Sequence, residues 1–249
     1  MEQPFQLTLA DTGALTYQPN SLQHKFQIPN RIGENEFISN TMNIYDWEKD
    51  DLCYADQYLR ILESEDNIKP LCRFIEEALV RLLKNDSVQH LNEEILKQTF
   101  LDTLILSHFV MGYDAGIWLQ AYPNFKLNGK AIDLVISYIK KMLIIEFDNI
   151  KMECIKLDET RSDWQKSNEI SLSFLKKPEE EILNLKIYDE NRPNQNTVRE
   201  ALEWKIEKIS NDYLESLKKL NDGNLKCMFI VMRVGFYRLI SRKVYCTDK

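Results

Sequence analysis

Two apolar runs, Asp133-Leu134-Val135-Ile136-Ser137-Tyr138-Ile139 and Met142-Leu143-Ile144-Ile145-Glu146-Phe147-Asp148, constrain the fold of this chain more than anything else in it. Runs this short, apolar and rich in β-branched residues are buried strands. Lys140-Lys141 between them predicts a two-residue turn, and so a β-hairpin at the centre of a core. If Ile139 pairs with Met142, Asp133 falls directly opposite Asp148. Glu146 and Asp148, two residues apart, project from one face of their strand. Three carboxylates then converge in an apolar setting, where like charges opposed across a sheet destabilise it unless water or a cation intervenes. A site for a hard divalent cation such as Mg²⁺ or Mn²⁺, which prefers carboxylate oxygens, explains that arrangement. On spacing alone, acids marking strand ends that emerge into solvent explain it equally well.

The segments around the hairpin read as an α/β protein. Residues 1–45 are polar and turn-rich, with Asp11-Thr12-Gly13 and Pro29-Asn30 between β-prone runs such as Phe5–Leu9 and Lys25–Ile28, which predicts a small antiparallel element. Leu71, Phe74, Ile75, Ala78, Leu79 and Leu82 recur at the spacing of one helix face over 71–84, and a second helix is predicted from Asn92 to Val110. Tyr122-Pro123-Asn124 and Asn128-Gly129 read as turns before the hairpin. From Lys151 to about Arg192 the chain is strongly charged with poor helical periodicity, which predicts a partly helical segment that includes the least ordered loops. A long amphipathic helix follows from Thr197, marked by Val198, Ala201, Leu202, Ile206, Ile209, Tyr213 and Leu217. Asp222-Gly223 ends it, and Cys227–Met232 forms the next strand. The expected architecture is a central mixed sheet flanked by helices, with an N-terminal β/helical extension over 1–65 ahead of a main domain over 66–249.

Several functions are excluded by what the sequence lacks. There is no GxxxxGK(S/T) loop, so no nucleotide cofactor is expected, and no GxSxG or HExxH motif. The five cysteines are scattered without a CxxC pair, which predicts reduced thiols and no zinc site. The first residues lack the pattern of a signal peptide, and no stretch approaches the roughly 20 apolar residues of a membrane span, so a soluble, cytoplasmic protein is expected. A net charge of −7 does not suit a protein coated in basic surface for nucleic acid. Between Gly223 and Cys246, however, Lys226, Arg233, Arg238, Arg242 and Lys243 occur with no acid among them. Such a run either faces phosphate or flanks a buried strand with solvated charge.

The stretch Asn128-Gly129-Lys130-Ala131-Ile132-Asp133-Leu134-Val135-Ile136, followed by Leu143-Ile144-Ile145-Glu146-Phe147, resembles the PD-(D/E)XK nuclease-like domain found behind AAA-ATPase-like modules in many bacterial proteins. That family typically reads Gly-Arg-Ala-Asp-Leu-Val-Ile and then Ile-Ile-Glu-Phe-Lys. Gly13-Ala14-Leu15-Thr16, Ile28-Pro29-Asn30-Arg31, the helix opening at Glu200-Ala201-Leu202-Glu203 and the strand Lys226–Val234 are similar to further family segments, in the same order. The ATPase module has no counterpart here. The resemblance implies a restriction-endonuclease-like core in which Asp133 and Glu146 are metal-binding acids and Glu93 or Glu94 supplies another.

It also exposes two departures. Asp148 stands where the family has the lysine that positions the attacking water and stabilises transition-state charge. Reversed in sign, it can act only as a further metal ligand. Lys151 replaces that lysine only if the strand bends near Asn149, since on a continuing strand it faces away from Glu146. The second departure is on the downstream helix, where Trp204 and Lys205 occupy the place of a family glutamine. Lys130, Arg233 and Arg238 are the expected phosphate contacts. The implied function is a degenerate nuclease-like domain that binds DNA or a protein partner within a larger bacterial protein. The alternative is an active Mg²⁺- or Mn²⁺-dependent DNA endonuclease. Such domains also resemble modules of effectors from intracellular bacteria, including cytoplasmic-incompatibility factors of arthropod endosymbionts, which implies delivery into a host cell.

Overall fold

A computed structural model of the chain describes residues 5–9, 15–19, 47–83, 93–111, 120–127, 129–137, 140–157, 164–220 and 223–247. The two apolar runs form antiparallel strands β4 (Lys130–Ser137) and β5 (Lys141–Ile150), if β1 (Phe5–Leu9), β2 (Leu15–Pro19) and β3 (Gln120–Leu127) are counted before them. Their register differs from the expected one. Leu134 pairs with Ile145 and Ser137 with Met142, two residues from the expected alignment, and Tyr138 and Ile139 lie outside the described residues. Continued outward, this register sets Asp133 across from Glu146 rather than Asp148. The offset is an even number of residues, so the three acids stay on one face of the sheet.

Five strands make the main sheet, in the order β3-β4-β5-β6-β7, with β6 at Leu225–Val234 and β7 at Arg238–Cys246. All neighbours are antiparallel except β5 and β6, whose parallel pairing places Glu146 beside Ile230. Strands buried on both faces need no alternation, which is why Cys227–Met232 of β6 reads as a continuous apolar run. Strand β3 corrects the reading of Tyr122-Pro123-Asn124 as a turn. Pro123 lacks an N–H and Asn124 has a positive φ of 54°, and the sheet tolerates both because β3 lies at its edge. Leu127 pairs with Lys130 where the β3–β4 hairpin closes, and Gly129 supplies a positive φ of 81° there; Asn128 lies outside the described residues. The smaller antiparallel pair β1–β2 agrees with the expected N-terminal β element. The Lys25–Ile28 run and the Ile28-Pro29-Asn30-Arg31 segment lie outside the described residues.

Helices flank the sheet: α1 (Lys49–Glu65), α2 (Lys69–Leu83), α3 (Glu93–Met111), α4 (Trp164–Phe174), α5 (Glu179–Leu183), α6 (Val198–Ile209) and α7 (Glu215–Lys219). The second and third agree with the periodicity over 71–84 and 92–110. Leu52, Leu59 and Leu62 of α1, Leu71, Ile75 and Leu79 of α2, and Leu96 and Phe100 of α3 join Val135, Ile145, Phe147 and Ile230 in one core. Phe100 meets Phe147 with ring centroids 5.0 Å apart, fixing α3 against β5. The long helix after Thr197 starts where the Thr197 side chain accepts a hydrogen bond from Glu200 N, and it is interrupted by a π-helical turn at Ser210–Leu214.

The charged segment 151–192 is partly helical, in keeping with its reading. Apart from 158–163, which lie outside the described residues, it carries a 3₁₀ turn at Met152–Cys154, α4 and α5, and its bridge Ile155–Ile187 ties it together, while Lys186 bridges to Thr197. Ile155, Phe174, Ile182, Leu183 and Ile187 are buried beneath the charges. Among the described residues, no helix is long and apolar enough to cross a membrane.

Candidate site: a carboxylate and cation cluster on the central sheet

Asp133 and Glu146 face one another at the open end of the β4–β5 hairpin. Asp133 Oδ2 accepts a hydrogen bond from Phe147 N at 2.9 Å, which locks its carboxylate against β5. Glu146 is only 5% exposed, and its Oε1 is buried with no hydrogen-bond partner. Burial, and then the charge of Asp133, push the Glu146 carboxyl up to about 7, against the pull of Lys205. Lys205 Nζ, from α6, stands 3.6 Å from Glu146 Oε2. From α3, Lys97 Nζ stands 3.6 Å from Asp133 Oδ1, lies 3.0 Å from Glu94 Oε2 and donates to Asn124 Oδ1 at 3.0 Å. Of the two candidate acids on this helix, Glu93 belongs to the cluster. Burial, then the charges of Asp133 and Asp148, raise its pKa, while Lys205 and Lys97 oppose the rise. Glu94 is directed outward to Lys97.

Asp148 has a different partner. Arg192 grips its carboxylate with both terminal nitrogens, Nη1 lying 3.0 Å from Oδ2 and Nη2 donating to Oδ1, and Asn149 N donates to Oδ1 at 2.7 Å. Burial alone would lower the Arg192 pKa, but the Asp148 hydrogen bonds and charge, helped by Asp189, raise it. Bidentate guanidinium pairs are among the stronger charge-assisted hydrogen bonds. Asp148, expected as a further metal ligand, thus has both oxygens hydrogen-bonded to Arg192. A cleft of about 570 Å³ opens beside this pair, lined by Glu93, Asp148, Asn149, Lys151, Tyr188 and Arg192.

The other expected site residues are placed as follows. Lys151 lies just past the end of β5, more than half exposed, with its ammonium 3.5 Å from Glu153 Oε1, so it lines the cleft without entering the acid cluster. Arg233, expected at a phosphate, is fully buried, with Nε donating to Asn149 Oδ1 at 3.2 Å; burial lowers its pKa to about 10. Arg238 pairs with Glu76 at 3.3 Å, and Lys130 pairs with Asp212. The basic run of the C-terminal strands does not form an open cationic face. Lys226 donates to the carbonyls of Leu220 and Asn224, Arg242 pairs with Glu179, and Lys243 lies 3.8 Å from Asp66. Each of these charges meets an oxygen supplied by another part of the fold.

Two cations of the cluster, Lys97 and Arg192, are absent from the sequence-based expectations, and Lys205 enters there only as a departure from a family glutamine. Lys97 is four residues after Glu93 and so on the same helix face, a signal that was legible. Lys205 follows the buried Ala201 and Leu202 by four and three residues, which also turns it inward. Arg192 gave no signal, since it sits in the irregular charged segment. On the far side of the cluster Tyr213, in the π-helical turn, donates its hydroxyl to Ala131 O at 2.8 Å; burial and the nearby Glu146 raise its pKa to about 12. Such turns recur at functional sites.

The class defined by fold and geometry is an α/β protein with a five-stranded mixed sheet and a buried cluster of acids and cations at the end of its central hairpin. No family model matches the chain, and neither the curated proteins nor the solved structures yield a match.

Proposed function

We propose that the chain is a PD-(D/E)XK-type domain that hydrolyses DNA phosphodiester bonds with a divalent cation, and that Lys205 supplies the positive charge missing at Asp148. The observation that carries this reading is the approach of Lys205 Nζ to within 3.6 Å of Glu146 Oε2. A lysine arriving from α6 takes over from a lysine on β5. The mixed sheet flanked by helices is the architecture the sequence resemblance implies, and it supports the same reading.

The residues suit Mg²⁺ or Mn²⁺. Asp133, Glu146 and Glu93 offer hard oxygens, and the unpartnered, buried Glu146 Oε1 is a polar atom whose burial is costly unless a proton or cation meets it. When bound, such an ion activates water and offsets charge on the scissile phosphate. Lys205, 15% exposed at its side chain, acts in a poorly solvated setting where a fixed charge stabilises a developing anion more than it would in water. Lys151 borders the adjoining cleft and supplies a cation to flanking phosphates.

Incubation with single- and double-stranded DNA and Mn²⁺ or Mg²⁺ tests the reading. The unmodified chain is expected to cut, Asp133→Ala to lose cleavage, and Lys205→Ala to lose about 10²–10³-fold in rate, as for other removed electrostatic groups. Cleavage that is unchanged in Asp133→Ala, or absent from the unmodified chain, defeats it. A second reading, a domain that binds DNA or protein without cutting, is favoured by one observation: the Asp148–Arg192 pair neutralises the position of the family lysine. DNA retained by an inert unmodified chain would support that alternative.

A further inference from the structure

Away from the carboxylate cluster, the two outer strands bring a pair of thiols together. Cys227 on β6 and Cys246 on β7 are register partners, and their Sγ atoms lie 3.0 Å apart. Next to them, Thr247 N donates to Lys226 O at 2.9 Å, so the cysteines occupy the neighbouring, non-hydrogen-bonded pair. Directly opposed residues of that kind have Cα atoms about 4.5 Å apart, inside the range of roughly 4.4–6.8 Å that disulfides span. Cys227 is fully buried, whereas Cys246 is partly exposed.

We infer that Cys227 and Cys246 form a reversible cross-strand disulfide, made by exchange with a small soluble disulfide such as glutathione disulfide. The partly exposed Cys246 is the sulfur that reagent can reach. Its thiolate attacks the reagent, forming a mixed disulfide and releasing one thiol, which takes up the proton Cys246 gave away. The Cys227 thiolate then attacks Cys246 Sγ, the mixed disulfide breaks, and the second thiol leaves with the proton from Cys227. The protein loses two hydrogens and the reagent gains them. Burial holds the Cys227 thiol protonated, so the second step is the slow one. The product ties the end of β7 to the start of β6 at the edge of the sheet.

Asp66 lies close enough to suggest a metal site instead, with Oδ2 3.8 Å from Cys246 Sγ. Its carboxylate is already engaged, however, by Lys141 Nζ at 2.6 Å and by Lys243 Nζ at 3.8 Å. Two ammonium groups on one prospective ligand disfavour a dication there.

The experiment treats the folded chain with glutathione disulfide and reads intact mass and non-reducing peptide maps. A Cys227–Cys246 linked peptide, reversed by dithiothreitol, is expected. Cys227→Ser is expected to stop at a glutathione adduct on Cys246, and Cys246→Ser to leave Cys227 unmodified. If the unmodified chain stops at the Cys246 adduct, or keeps both thiols reduced, the inference fails. It also fails if the reduced chain binds one equivalent of added zinc that both serine variants lose.

Discussion

Glu76 illustrates how a single side chain ties stability to pH. It is buried between α2 and β7, and burial raises its carboxyl to about 7 although Leu239 N at 2.7 Å and Arg238 at 3.3 Å favour the charged form. A carboxyl whose folded pKa exceeds its unfolded value, roughly 4.3, binds more protons folded than unfolded between those two values. Its contribution is therefore fully present below the unfolded value and is lost as pH rises through about 7. Glu76→Gln should remove this part of the pH dependence, on the order of 1–3 kcal/mol, when unfolding midpoints in urea are compared at pH 5 and pH 8. An unaltered slope would refute the assignment. At Asp148 a buried carboxylate is held by a charged partner, Arg192. Arg192→Ala should destabilise the fold by about 3–5 kcal/mol, since it leaves a buried carboxylate uncompensated, whereas Lys151→Ala at the exposed end of β5 should change stability by less than about 0.5 kcal/mol. Neither consequence is visible in the sequence, because Arg192 is 44 residues from Asp148.

Among the elements, the β6–β7 hairpin depends on Gly235. Its φ of 67° is one that side-chain-bearing residues adopt at a cost, and an added Cβ would lie 2.8 Å from Ser171 Oγ and 3.3 Å from Met152 Sδ. Ser171 Oγ already accepts the hydrogen bond of Phe236 N at 2.8 Å, so it is not at liberty to move away. Gly235→Ala should cost about 2–4 kcal/mol, combining left-handed strain with the clash, as measured by chemical unfolding; a cost below 1 kcal/mol would mean that α4 shifts freely. The central hairpin and the helices over 69–83 and 93–111 were legible because each carries its own period or apolar run. Strand β3 was not, since Pro123 and Asn124 are turn residues whose presence only an edge position excuses. The hairpin register was also missed. An uninterrupted apolar run suits either alignment, so it does not announce which residue faces which.

For the whole molecule, binding of Mg²⁺ or Mn²⁺ to the folded state alone should raise stability by about 2.7 kcal/mol at a hundredfold excess over Kd. Scanning calorimetry should show this as an upward shift of roughly 5–10 °C. The shift should vanish in Asp133→Ala, and its persistence there would move the cation to another site. The basic run near the C-terminus gives no open cationic face, because Arg238, Arg242 and Lys243 pair with Glu76, Glu179 and Asp66 while Lys226 donates to main-chain carbonyls. By itself the sequence determined the α/β order, the buried hairpin, and the common face of Asp133, Glu146 and Asp148. Those follow from side-chain alternation and apolar runs, which act over a few residues. Only the tertiary structure decided which cations serve those acids: Lys97 from α3 for Asp133, Lys205 from α6 for Glu146, and Arg192 from the charged segment for Asp148. Ion pairing acts over a few ångströms, and which distant charges come that close depends on how the helices pack against the sheet.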